Sequence, residues 1–266
     1  MLSPICPHAI ADSDRGPPAL PSRKRRPMQG DLLYQVLARA LDWTVWGGQV
    51  LGAQNLQESG PAVFVCNHAG ALGPIAVAAS LPVRLHHWIV ADMLDSELAP
   101  AYLEQDFMRP VLHAPHWVSL PAARALSKIT VRLLHHLGCV PVWKDQNVLE
   151  TFRLSEECLV MGRSLAVFPE DPAGTPDAVS GMRPFKKGFA RLGQHHYART
   201  QQRLRFYPVA VLPKERHVRV APAVEYIPIG RPGDERTRIA RVLESMIRAM
   251  VVGDHAEVYE GVPFAP

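Results

Sequence analysis

The chain has 266 residues, of which 47% are hydrophobic and 20% charged, and its net charge is +4. These proportions are typical of a globular protein that buries a sizeable core. No apolar run reaches the roughly 20 residues that a transmembrane helix needs. The four cysteines have no spacing typical of a metal site or a disulfide framework, which favours a reducing compartment.

Residues 1–30 differ in composition from the rest of the chain. They hold six of the 25 prolines and five basic residues against two acidic ones, including the run Arg23–Arg26. This composition predicts a disordered basic tail. A basic run of this size is compatible with binding to anionic lipid, with binding to nucleic acid, or with no partner at all.

Residues 31–266 are predicted to form one domain that begins with an amphipathic helix over residues 31–54. From Asp31 to Leu51, apolar residues recur at spacings of three and four, and Trp43 and Trp46 widen the apolar side. Tryptophan is favoured at the interface between membrane and water. Together with the basic tail, this pattern predicts a helix that lies in the membrane surface, and a helix packed on the sheet is the alternative.

Beyond this helix, strand patterns alternate with helix patterns, which predicts an α/β fold with a mainly parallel central sheet flanked by helices. The predicted strands are 63–66, 87–91, 139–142, 164–168, 204–211 and 218–221. The predicted helices are 72–80, 119–137, 147–161, 185–196 and 235–252.

The first of these strands leads directly into a candidate catalytic residue. Val63–Cys66 is apolar and is followed by Asn67 and His68, and a small-residue turn then opens the helix 72–80. Ligands of open α/β sheets bind at the carboxyl ends of the strands. Histidine exchanges a proton near neutral pH, so His68 is a candidate general base. A histidine that only caps the helix or bonds a neighbouring loop is the alternative.

Charged residues follow other strands of the same predicted sheet. Lys144 follows the strand 139–142, and Glu170 and Asp171 follow the strand 164–168. A loop then brings Lys186 and Lys187. If the strands are parallel, these groups share an edge of the sheet with His68, where they suit an anionic or hydroxyl-bearing substrate.

The order of these motifs resembles the phospholipid/glycerol acyltransferase family, which includes glycerol-3-phosphate and lysophosphatidic acid acyltransferases. Asn67-His68 is similar to the start of that family's Asn-His-x4-Asp signature. The resemblance covers roughly residues 31–225. The other matching tracts are Gly52–Pro61, Gly138–Lys144, Phe168–Glu170, Pro184–Gly188 and Pro208–Ala210.

The resemblance implies an O-acyltransferase of the 1-acylglycerol-3-phosphate type. It implies that His68 deprotonates a glycerolipid-like hydroxyl, which attacks the thioester of acyl-CoA or of an acyl carrier protein. It implies no metal, cofactor or nucleic acid, and a place on the cytoplasmic, inner face of the membrane. The residues implied in substrate binding are Asn67, Lys144, Glu170 and Lys187.

The sequence departs from the family signature where the signature has aspartate, because Gly73 is the fifth residue after His68. We expect another acid, such as Asp171 or Asp92, to orient the imidazole in its place, and the alternative is that none does. A catalytically weak member of the fold that binds lipid or acyl carrier is therefore the alternative function. His87 and Asp92 also have the His-x4-Asp spacing, but they fall on a predicted strand, where residues five apart point to opposite faces.

Overall fold

The computed structural model describes residues 29–56, 60–105, 115–143 and 147–253. Within these ranges lie seven α-helices and eight β-strands. The strands are β1 (Gln49–Leu51), β2 (Ala62–Cys66), β3 (Leu85–Val90), β4 (Val140–Val142), β5 (Ser164–Val167), β6 (Arg205–Leu212), β7 (His217–Val220) and β8 (Val224–Glu225). The helices are α1 (Gln29–Leu41), α2 (Leu72–Ser80), α3 (Ala99–Leu103), α4 (His116–Leu137), α5 (Val148–Val160), α6 (Arg191–Thr200) and α7 (Pro232–Val252).

The strands form one sheet in the order β1-β7-β6-β2-β5-β3-β4, and β8 pairs with β6. The five strands β6, β2, β5, β3 and β4 run parallel, whereas β7 and β8 run antiparallel to β6. The predicted α/β fold with a mainly parallel sheet is confirmed. Val65 pairs with Val167 on one side and with Pro208 on the other. The carboxyl ends of β2, β5 and β6 therefore meet at one edge.

The central strand β2 is buried along its whole length, which explains its unbroken apolar sequence. Val63 and Val65 pack into one hydrophobic cluster with residues of α5, α6 and α7. Phe64 and Cys66 pack into a second cluster with residues of α2. Because successive side chains of a strand point to opposite faces, the two clusters lie on opposite faces of the sheet.

The helix predicted over residues 31–54 is wrong in its second half. Helix α1 ends at Leu41, a π-helical turn covers 42–46, and residues 49–51 form the edge strand β1. The two glycines that follow the turn explain this end. Gly47 has a φ of 57°, which favours glycine. A side chain at Gly48 would collide with the Arg216 carbonyl and the Trp46 ring.

The two tryptophans of this segment do not share a face. Trp43 is 89% exposed, whereas Trp46 is 2% exposed and packs in the α2 cluster. In the π-helical turn each residue advances by a smaller angle than in an α-helix, so residues three apart separate more widely around the axis. The predicted contribution of Trp46 to a membrane face is therefore wrong.

Two predictions lie outside the described residues, namely the disordered tail over 1–30 for all but its last two positions, and the site residue Lys144. In the part of the chain that the structure covers, none of the helices has both the length and the apolar character needed to span a bilayer.

Candidate functional site

The turn that carries His68 is held to the sheet by the side chain before it. The Asn67 carboxamide accepts a hydrogen bond from the Val211 N–H at 2.7 Å and donates one to the Val211 carbonyl at 3.1 Å. Asn67 is buried, and these two bonds continue the pairing of β2 with β6 by one step. The Asn67 side chain therefore fixes the main chain at the end of β2 to the neighbouring strand β6.

Glu170 holds the main chain of His68 from the neighbouring strand. Its Oε1 accepts a hydrogen bond from the His68 N–H at 2.6 Å, and its Oε2 accepts one from the Arg183 N–H at 2.9 Å. Hydrogen bonds to an ionised carboxylate are about twice as strong as those between neutral groups. Glu170 thus joins the histidine turn to the basic loop that follows β5.

The imidazole of His68 is exposed and contacts the aromatic ring of Phe168. The centroids of the His68 and Phe168 rings lie 5.9 Å apart, and the rings meet edge to face. Phe168 also stacks against His87, with ring centroids 6.3 Å apart. Phe168 therefore contacts both histidines. The sequence contained a signal for this residue, because Phe168 directly follows β5 at the edge where β2 ends.

An acid that substitutes for the missing signature aspartate is not found in the described part of the chain. There, no carboxylate hydrogen bonds to or forms an ion pair with the His68 ring. Asp171 instead pairs with the Lys186 ammonium at 3.2 Å, and Asp92 accepts a hydrogen bond from the Tyr102 hydroxyl at 2.9 Å. The expectation that Asp171 or Asp92 orients the imidazole is wrong, because both are engaged elsewhere.

The position of the missing aspartate has room for a Cβ atom. A Cβ on Gly73 would lie 3.6 Å from the Asn67 carbonyl, 3.7 Å from the Phe168 ring and 3.8 Å from the Ala69 Cβ. These are ordinary van der Waals distances. Phe168 is also the ring that His68 contacts, so Gly73 and the imidazole share this neighbour.

The loop between β5 and α6 is folded back on itself by main-chain bonds. The Lys186 N–H donates to the Pro169 carbonyl at 2.8 Å, and Glu170 and Phe185 form an antiparallel bridge. The Phe185 N–H also donates to Glu244 Oε2 on α7 at 3.0 Å. This loop is therefore attached to the body of the domain.

Three cationic side chains lie on this loop near Glu170, namely Arg183, Lys186 and Lys187. The Arg183 guanidinium donates to the Pro172 carbonyl, and Lys186 pairs with Asp171. The pKa of Asp171 is lowered by the Ala173 N–H and, to a smaller extent, by Lys186. Lys187 is exposed and forms no ion pair with a carboxylate of the described residues. The loop therefore presents positive charge close to the histidine turn.

His87, the other histidine with an aspartate five residues on, has a different environment. It lies on strand β3, as predicted, and it is buried. Burial lowers its pKa to about 4, because the charged form loses its hydration. The neutral ring packs against Phe168.

Two other kinds of site could lie near this edge, a nucleophilic cysteine at Cys66 and a metal site. Burial raises the pKa of the Cys66 thiol, and the side chain packs in the α2 cluster on one face of the sheet. A thiol held in this protonated form is a poor nucleophile. Within the ranges that the structure describes, no three His, Cys, Asp or Glu side chains cluster as metal ligands.

The chain was compared with protein-family models, with curated proteins and with solved structures. Comparison with protein-family models found no match, and comparison with curated proteins found none. Among solved structures, the chain is similar to the 1-acyl-sn-glycerophosphate (LPA) acyltransferase PlsC from Thermotoga maritima, with a TM-score of 0.49 and 15% sequence identity. The alignment covers 85% of this chain and 80% of that chain. What this chain does must therefore be inferred from its own residues.

Proposed function

We propose that the chain is an O-acyltransferase that moves a fatty acyl chain from acyl-CoA or an acyl carrier protein to a glycerolipid-like hydroxyl. The observation that carries this proposal is the exposed imidazole of His68 at the carboxyl end of β2, on a main chain held by Asn67 and Glu170. A general base must be reachable by the substrate and held near it. The His68 ring is exposed, and its main chain is fixed by the Glu170 hydrogen bond.

In the proposed reaction, one ring nitrogen of His68 accepts the proton of the acceptor hydroxyl as its oxygen attacks the thioester carbonyl carbon. A carbon–oxygen bond forms, and the carbonyl electrons move to the oxygen. When the carbonyl reforms, the carbon–sulfur bond breaks and the thiolate leaves. The imidazolium returns the proton to the sulfur, so the products are an ester and a free thiol.

The acceptor is proposed to carry an anionic group, such as a phosphate, next to its hydroxyl. Arg183 and Lys187 place positive charge on the loop that Glu170 joins to His68. Lys144, which lies outside the described residues, is proposed as a further cation of this site. A lysine contacts a phosphate as a point charge and cannot form the two parallel bonds of an arginine.

A second candidate function is a catalytically weak protein that binds lipid or acyl carrier without transferring the chain. It is favoured by the absence of a carboxylate on the His68 ring among the described residues and by glycine at position 73. In a serine protease triad, neutralising the aspartate lowers turnover by about 10⁴. The two candidates share a fold and a ligand class and differ in product.

The peripheral membrane location, on the cytoplasmic face, is part of the proposal. Leu32 and Val36 on α1 and Trp43 in the π-helical turn after it are 69%, 56% and 89% exposed. Tyr34 points inward and is buried. Exposed apolar side chains on a helix suit the boundary between headgroups and acyl chains.

The test is transfer of radiolabelled acyl groups from acyl-CoA to a total lipid extract, with identification of the labelled product. His68→Ala should lower the rate by at least about 10²-fold, the smaller value usual for removing a general base. His195→Ala is the control, since His195 is an exposed histidine that pairs with Glu156.

A wild-type rate in His68→Ala would contradict the assignment of the base. If neither wild type nor variant forms a labelled ester but both bind the labelled acyl-CoA, the second candidate function, binding without transfer, is correct. Loss of activity in His195→Ala as well would point to damage of the fold.

A further inference from the structure

Helix α4 exposes two large apolar side chains and buries a row of small or β-branched ones. Trp117 is 79% exposed and Ile129 is 64% exposed. The inward positions are small or β-branched, at a regular spacing of four, and are occupied by Ser119, Ala123, Ser127 and Val131. A helix that only covers a core has the opposite distribution, with large apolar residues inward. The outer face of α4 is therefore unlike that of an ordinary surface helix.

The same helix carries positive charge and no acidic residue. Its 22 residues include Arg124, Lys128 and Arg132, and no Asp or Glu. These three cations also follow a spacing of four, so they form one stripe along the outer face, and Ile129 lies beside it. All three are exposed, and none forms an ion pair with a carboxylate in the described ranges.

We propose that this outer face of α4, formed by Trp117, Arg124, Lys128, Ile129 and Arg132, docks on an anionic lipid surface. Exposed tryptophan, exposed aliphatic side chains and cations without acids are the combination that binds in the plane of a negatively charged bilayer. Charge complementarity favours this occupant, because each cation near such a surface is attracted to it.

The α4 face lies next to the surface already proposed for α1. Helix α1 packs against α4 and exposes Leu32 and Val36, and the π-helical turn that follows α1 exposes Trp43. The α4 face deepens the membrane association proposed above, and the two helices can be changed one at a time. Failure of one surface therefore does not remove the other.

The experiment is flotation of the full chain with vesicles of neutral phosphatidylcholine and with vesicles that also contain phosphatidylglycerol. Trp117→Ser should weaken binding to both vesicles. The double variant Lys128→Glu/Arg132→Glu should weaken binding to the anionic vesicles by at least about tenfold. That effect should shrink in high salt, which screens exposed charges.

Matched controls come from helices on the other face of the sheet. Leu149 on α5 is 72% exposed, and Arg241 on α7 is an exposed cation. Leu149→Ser and Arg241→Glu should float like wild type, within about twofold. Vesicle binding is measured without an acyl donor, so a failure of the proposed reaction leaves this result unaffected.

Three results would overturn the proposal. The first is flotation of the α4 variants at the wild-type level, and the second is no flotation of the wild-type chain itself. The third is a concentration-dependent dimer in sedimentation that Trp117→Ser abolishes, because the face would then be covered by a second copy of the chain.

Discussion

Replacing Glu170 by glutamine tests the bridge between the His68 turn and the basic loop. The wild-type carboxylate accepts two main-chain hydrogen bonds, from the His68 N–H at 2.6 Å and from the Arg183 N–H at 2.9 Å. Glutamine keeps the shape of the side chain but turns one acceptor oxygen into an NH₂ group. The NH₂ group would face a main-chain N–H and could not accept its hydrogen bond. One of the two hydrogen bonds is therefore lost, and the remaining one is made to a neutral oxygen.

The expected size of the effect comes from these two bonds. A hydrogen bond to a charged group contributes roughly 1.5–3 kcal/mol, and a neutral one about 1 kcal/mol. Glu170 is half-buried, so water replaces part of what is lost. We expect Glu170→Gln to lower the free energy of unfolding by about 2 kcal/mol, which for a chain of this size lowers Tm by roughly 4–8 °C.

The kinetics of the same variant separate two roles for Glu170. If it positions His68, kcat should fall while KM for the acceptor changes little, because the base moves but the binding groups remain. If it binds the acceptor, as the family resemblance implies, KM for the acceptor should rise.

The control is Glu157→Gln on α5, where the carboxylate is exposed and pairs with Arg153. An exposed pair of this kind contributes at most about 1 kcal/mol. Urea unfolding and steady-state transfer assays measure both variants. Equal unfolding free energies for wild type and Glu170→Gln would refute the reasoning, since the bridge would then contribute nothing.

Two further predictions concern residues around Phe168. Gly73→Asp should raise the rate of acyl transfer by about tenfold or more. Position 73 accepts a Cβ atom next to the Phe168 ring that His68 also contacts, and an orienting acid contributes up to about 10⁴ in a serine protease triad. Gly73→Asn is the uncharged control, and an equal gain in both variants would contradict the role of the charge. Burial lowers the pKa of His87 from 6.5 to about 4. Between these two pH values His87 binds a proton in the unfolded state but not in the folded state. The free energy of unfolding therefore falls by roughly 3 kcal/mol as the pH is lowered from above 6.5 to 4. His87→Phe should flatten this pH dependence in urea unfolding at pH 7 and pH 4.5, and an unchanged slope would contradict it.

Local patterns were sufficient to predict most of the elements around the site. The helix Leu72–Ser80 has the predicted bounds, and β2 lies within one residue of its prediction. The apolar run of β2, the small-residue turn and the alternation with helices each act over a few residues, so they can be read along the chain. The parallel direction of the sheet followed from that alternation.

The short strands and the end of α1 could not be predicted in this way. β1 has three residues and β8 has two, and each is defined by its partner strand. The exposure of Trp43 and the burial of Trp46 depend on a π-helical turn that ends against Arg216. Helical periodicity alone placed both rings on one face.

The sequence by itself determined the α/β class, the sheet of parallel strands and the position of His68 at a strand end. Only the tertiary structure decided how that histidine is held, because the bonds that hold it join distant residues. Asn67 and Val211 are 144 residues apart in the chain, and His68 and Glu170 are 102 apart. Asp171 and Asp92 were equally plausible partners for the imidazole until the folded chain paired one with Lys186 and the other with Tyr102. Such pairings depend on the distance between side chains after the sheet has formed, and local sequence does not encode that distance.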